Sequence, residues 1–153
     1  MFGEPYERDR RKVACGVVLL HRGRVPLIRR ADGLGVGFPF GKHDYSETFP
    51  ETAARELFEE TGYIVRPDDL SYVCGGQVDE YVSHLYAPKP WSEVRVGEAT
   101  HASEGELILS ADPFSDLSSR HPGFSQYNRQ GLFEFVRYCE RVRFPVPFPV
   151  PER

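Results

Sequence analysis

The stretch GKHDYSETFPETAARELFEETGY, residues 41–63, sets six carboxylates in twenty-three positions and decides how the chain folds around it. Thr48, with Glu51 three residues later, makes the capping-box pattern of a helix start, and Pro50 falls in the first turn, where its missing N–H costs nothing. Gly62 supplies the stop, suited to the left-handed residue just past a helix end. At about 100° per residue, Glu56, Glu59 and Glu60 lie within about 100° of one another, while Ala54, Leu57, Phe58 and Thr61 take the opposite side. One face is core; the other is a cluster of acids. An exposed helix gains a few tenths of a kcal/mol by placing Lys four residues after Glu, whereas the only basic residue here, Arg55, stands at the flank. Three converging carboxylates form a hard-oxygen site suited to Mg²⁺ or Mn²⁺ rather than zinc.

Outward from this helix, residues 13–20 form a continuous apolar run of the kind that a strand buried on both faces shows. His21-Arg22-Gly23-Arg24 is a turn and residues 25–30 a returning strand, so a hairpin is expected to open the domain. Residues 31–37 are glycine-punctuated loop, and Phe38-Pro39-Phe40 a brief extended segment. Beyond the helix, strands are expected at about 71–78 and 80–87, a polar loop at 88–103, a strand at 106–110 and an amphipathic helix at 126–143 with Leu132, Phe133, Phe135, Val136 and Cys139 inward. This order predicts a mixed α/β sandwich rather than a repetitive βαβ winding. Proline alternates with apolar residues through 144–151, which form extended polyproline-like chain, either a strap on the domain surface or a segment that docks a protein partner. The expected organisation is one domain over 1–143 and a proline-rich tail over 144–153.

The length of 153 residues suits a single core, and 40% hydrophobic with 27% charged residues describes a soluble globular chain. No window reaches bilayer length, and the N-terminus lacks the basic-then-apolar order of a secretory signal. A cytoplasmic protein is expected, or one of an organellar matrix if a transit peptide has been removed. Cys15, Cys74 and Cys139 have no paired spacing and read as buried thiols. A net charge of −4 argues against a coat of nucleic-acid-binding charge. The basic residues nevertheless cluster, Arg8, Arg10, Arg11 and Lys12 first, then Arg22, Arg24, Arg29 and Arg30. They form a solvated edge or a positive rim for a phosphorylated ligand.

Spacing across the opening stretch is more specific than its composition. Gly41, Glu47, Arg55-Glu56-Leu57, Glu59-Glu60 and Gly62-Tyr63 occupy all nine fixed positions of the pattern GX5EX7REUXEEXGU, with U apolar or bulky. The chain therefore resembles the Nudix hydrolases, and the resemblance implies a Nudix-like α/β/α sandwich with a mixed sheet. It also implies Mg²⁺ or Mn²⁺ held by Glu56, Glu59 and Glu60, with the Gly41 carbonyl as a further oxygen, and Glu47 bracing Arg55. The family draws its general base either from the box, here Glu59 or Glu60, or from a later loop, where Glu106 is the first choice, Glu104 the second, and Glu93 and Glu98 lie nearby. One position departs from the family: Phe40 stands before Gly41, where relatives carry Gly or Lys, although Lys42 is retained and can face the substrate.

The implied activity is cleavage of a nucleoside diphosphate linked to another moiety, be it a dinucleoside polyphosphate, a nucleotide sugar or an RNA 5′ end or cap. Substrate choice lies outside the box. Tyr81, Phe38 and Trp91 are candidate stacking surfaces and Arg29 a candidate phosphate contact; His84, at odd spacing from Tyr81 on its strand, reads as structural. A nucleotide-type small molecule is the expected substrate, with no membrane partner and with a homodimer left open. The alternative is a Nudix fold kept as a binding or structural module in a ribonucleoprotein or other assembly, without turnover.

Overall fold

The computed structural model describes residues 12–78, 80–102, 105–117 and 122–152, the side chains of Val78 and Pro122 excepted. Apolar strand β1 (Lys12–Val17) is central to the fold: its Cys15 and Val17 are fully buried, and it lies between two neighbours. It pairs antiparallel with β4 (Phe40–Lys42) and parallel with β7 (Tyr81–Pro88), which in turn pairs antiparallel with β6 (Leu70–Val78). The result is a mixed sheet in the order β4-β1-β7-β6. A second, antiparallel sheet runs β3 (Val36–Gly37), β2 (Val25–Arg30), β9 (Gly105–Ser110). A two-residue pair, β5 (Tyr63–Ile64) with β8 (Arg95–Val96), completes the strands described.

Helices cover the sheets from both sides. Helix α1 (Phe49–Thr61) sets Phe49, Ala53 and Leu57 against Val13, Cys15, Val17 and Tyr86. The short α2 (Pro113–Asp116) and the long α3 (Pro122–Arg141) close the other face, where Phe114, Leu132, Phe135 and Cys139 meet Val18, Leu27 and Leu85. The architecture is a mixed α/β fold, α/β/α in layers.

Three expectations need correction. Strands β1 and β2 do not make an opening hairpin, because both edges of β1 are taken by β4 and β7 and β2 must pair elsewhere. Only the turn survives: His21 and Arg24 exchange backbone hydrogen bonds of 2.9 and 3.1 Å across Arg22 and Gly23, both at positive φ (51° and 78°), the geometry of a type I′ turn. The loop at 88–103 contains β8, which two exposed residues could not announce. The last helix begins at Pro122, earlier than its apolar periodicity suggests, and ends at Arg141.

Residues 144–152 form no helix or strand and bend at Phe148, which is 5% exposed, in the core cluster with Phe114, its ring centroid 6.1 Å away. All three cysteines are free, and burial pushes each thiol up to about 12.

Candidate metal and substrate site

Both caps of α1 are built from local sequence. The Thr48 hydroxyl accepts from the Glu51 N–H at 3.2 Å, and the Glu51 carboxylate accepts from the Thr48 N–H at 2.8 Å. At the other end, Gly62 takes φ 82° and donates its N–H to the Phe58 carbonyl at 2.9 Å. Strand β4 then brings Gly41, opposite Cys15, against the acidic face of the helix. A Cβ at Gly41 would lie 1.8 Å from the Glu56 carboxyl carbon, so only glycine leaves that carboxylate, 9% exposed, its present place.

Arg55 organises the acids. Its Nε and Nη2 donate to Glu47 at 2.8 and 3.1 Å, its Nη1 donates to Glu56 at 3.0 Å and Glu59 at 3.1 Å, and Nη2 also reaches the Lys42 carbonyl at 3.3 Å. Glu47 accepts a further bond from Thr52 at 2.9 Å. Burial alone would raise the Glu47 carboxyl, but the bonds from Arg55 and Thr52 and the charge of Arg55 outweigh it and hold it below the ordinary carboxylate range. The hydrogen bond to Glu47 in turn keeps the guanidinium firmly protonated against its own desolvation.

Among the described residues no three His, Cys, Asp or Glu side chains are drawn together as a ready-made chelate. The acids are arranged around the Arg55 guanidinium instead. The donor set nevertheless fits a hard divalent cation: Glu56, Glu59 and Glu60 offer only carboxylate oxygens from adjacent turns, and the bare Cα of Gly41 leaves room beside Glu56.

Glu60 also lines a cavity of about 520 Å³ between the sheets and the start of α3. Tyr81, Phe40, Tyr127 and Phe124 supply aromatic walls and Ser83 a hydroxyl. Phe38 lies at its floor, 5% exposed and part of the core. Phe40 packs over Gly16, whose Cβ would lie 2.6 Å from the ring, and against Tyr127 with centroids 5.7 Å apart. Burial pushes the Tyr127 phenol well above its ordinary range, so it stays protonated. Arg30 covers Phe124 at 5.6 Å while holding Asp32.

The other described candidates are not among the residues that line this cavity. Glu106 faces Arg29 across β2 and β9 at 3.5 Å, both largely exposed, which gives each the other as partner. Glu104, with Arg8, Arg10 and Arg11, falls outside the described residues. Lys42 is exposed at the end of β4 and Lys12 pairs with Glu80 at 2.9 Å. His84 stacks on Phe49 at 5.2 Å and meets the Tyr72 hydroxyl at 3.2 Å, on the α1 side of the sheet. Trp91, 76% exposed, stands away from this cavity.

Two residues enter that the sequence did not mark. The His101 N–H donates to the Glu59 carbonyl at 2.7 Å and its Nδ1 lies 3.6 Å from the Glu59 carboxylate. Asn128, 1% exposed, accepts from the Phe38 N–H at 3.1 Å and donates to the Phe124 carbonyl at 2.8 Å, tying the β3–β4 segment to α3. A buried polar residue inside an apolar helix face was the available signal for Asn128; a lone His in a polar loop gave none.

Comparison with known proteins agrees with this architecture. The family model of the NUDIX domain matches residues 9–123. A MutT-like protein of Streptomyces ambofaciens is 41% identical over 77 residues, which span 50% of this chain and 49% of that protein. The chain thus matches about half the length of that curated relative. Among solved structures, a MutT NUDIX hydrolase from Burkholderia pseudomallei superposes with TM-score 0.62 at 23% identity, over 80% of this chain and 96% of the other. An ADP compounds hydrolase superposes with TM-score 0.67 at 21% identity, over 90% and 78%. At these identities the likeness is one of fold.

Proposed function

The chain belongs to the NUDIX family, and from that premise we propose that it is a pyrophosphohydrolase dependent on Mg²⁺ or Mn²⁺, cleaving a nucleoside diphosphate linked to another moiety. The observation that carries this reading is the position of Glu60, on the acidic face of α1 with Glu56 and Glu59 and also in the wall of an aromatic cavity. Metal and nucleotide chemistry would meet there. A bound divalent cation would screen the diphosphate and lower the pKa of attacking water.

The chain's own residues do the rest. Glu56, Glu59 and Glu60 hold the cation, with the Gly41 carbonyl as a further donor, and Arg55, anchored on Glu47, fixes the carboxylates and neutralises part of their mutual repulsion. Phe40, Tyr81 and Phe124 offer stacking surfaces, each worth about 1 to 3 kcal/mol for a base. About 520 Å³ suits one nucleoside, within the range usual for small-molecule pockets. A small nucleotide such as a dinucleoside polyphosphate, a nucleotide sugar or another ADP compound is therefore favoured over a long RNA, although an RNA 5′ end shares the scissile bond. The unit is one NUDIX domain; no helix among the described residues is long and apolar enough to cross a membrane.

The test is Mg²⁺-dependent release of nucleoside monophosphate from a panel of dinucleotides, nucleotide sugars and capped or triphosphorylated RNA. Glu59→Gln and Glu60→Gln are expected to lower turnover by at least about a hundredfold, the scale of lost metal-centred charge stabilisation. Turnover of none of the panel, with a melting temperature indifferent to millimolar Mg²⁺, would favour the binding-module reading.

A further inference from the structure

A second cavity, of about 280 Å³, opens at the far end of β1 from the first, where Leu19 and Leu20 lead into the His21–Arg24 turn. Its apolar wall includes Phe135, Tyr138 and Phe144. Its polar side holds His21, Arg22, Lys89 and Ser92, and among the described residues no carboxylate lines it, in a chain whose net charge is −4.

Three observations at this place point to a ligand. Arg22 occupies the left-handed region at φ 51°, where Asn or Gly would sit without strain, and its guanidinium makes no hydrogen bond or ion pair among the described residues. The Ser92 hydroxyl is buried and has no hydrogen-bond partner among the described residues. Burial, and after it the charge of Arg22, push the His21 imidazole below its ordinary range, in a setting short of negative charge. The volume is close to twice the roughly 150 Å³ that holds a benzene ring, which leaves room for one ring and a charged group.

We propose that this second cavity binds a small anion with an aromatic body, an aryl phosphate or aryl carboxylate. Its ring enters against Tyr138 and Phe144, and its charged group meets Arg22 and Lys89. Lys89 already donates to the Asp68 carbonyl at 3.1 Å and keeps two donors for the ligand. The site is independent of the acidic face of α1.

The chain's single tryptophan, Trp91, is 76% exposed between Pro90 and Ser92 of the cavity wall and does not itself line the cavity, so binding is read by calorimetry. Phenyl phosphate and benzoate, titrated separately into the full chain, are each expected to give a saturable heat of binding, and the tighter of the two names the anion. Benzyl alcohol, the neutral counterpart, is expected to bind at least about tenfold more weakly, and Arg22→Asn to weaken the better anion by a similar factor, as loss of a charge-assisted hydrogen bond would. Asn suits the turn, so a loss of binding in this variant is not a loss of fold. No response to either anion, an equal response to benzyl alcohol, or unchanged affinity in Arg22→Asn overturns the proposal.

Discussion

One hydrogen atom in place of a methyl group at Gly41 decides where the Glu56 carboxylate rests. Gly41→Ala puts a Cβ 1.8 Å from the carboxyl carbon, and that obstacle is the end of a side chain that can swing away. The cost in stability is then modest, about 1 kcal/mol or less, at the low end for overpacking. Its effect on the site is large, because Glu56 must leave both its place and its 3.0 Å bond to Arg55. Melting of Gly41→Ala with and without millimolar Mg²⁺ should show a small loss of stability and no rise on adding the metal, against a clear rise in the parent. Glu47 carries a pH dependence of definite sign. Its folded-state pKa lies below the ordinary 4.5, so the unfolded chain binds the proton more readily. The stability it contributes is complete above about pH 4.5 and disappears as pH falls through the depressed value. Urea unfolding at about pH 7 and about pH 4 should show a smaller acid loss in Glu47→Gln than in the parent, along with a lower stability at neutral pH from the stranded Arg55.

At the scale of elements, the two ends of α1 are closed by different means and should fail by different amounts. Thr48→Ala removes the hydroxyl that accepts the Glu51 N–H and should cost about 1 kcal/mol. Gly62→Ala asks an L-residue to hold φ 82° and sets its Cβ 2.4 Å from the Gly97 carbonyl oxygen, a backbone atom that cannot rotate away. Its cost should exceed that of Thr48→Ala, at about 2 kcal/mol or more, and chemical denaturation of the pair checks the order. Both caps were legible in the sequence, because a cap is a three- or four-residue pattern that refers only to its own neighbours. Strand pairing was not. β1 and β2 are joined by a good turn, yet β1 gives both edges to β4 and β7, a competition that local spacing does not describe. β8 owes its existence to the backbone of β5 rather than to its own exposed Arg95 and Val96.

Across the whole molecule, the nine spaced positions of residues 41–63 carried the α/β/α layers and the acidic face, since that motif fixes a loop, a helix and the strand before them at once. What they left open is set by residues distant in sequence. His101 reaches Glu59 and Asn128 reaches Phe38 only once the chain is folded, and Glu106 meets Arg29 because β9 happens to pair with β2. The tail shows the same limit. Alternating prolines dictate extended chain but not which apolar residue is buried, and the structure selects Phe148, 5% exposed beside Phe114, over Val150, 44% exposed. A strap held by one buried aromatic ring contributes to global stability, whereas a segment free to dock elsewhere does not. Phe148→Ala should therefore cost about 3 kcal/mol, the scale of an aromatic-to-alanine truncation in a core, while Val150→Ala should stay within about 0.5 kcal/mol. At this chain length that is a fall in melting temperature of about 6–12 °C for the first and little for the second. Ending the chain at Arg143 should cost at least as much as Phe148→Ala, because it removes Phe148 together with Val146, which packs against the same core. Equal melting of the parent and both variants would mean that residues 144–152 add nothing to the domain they lie on.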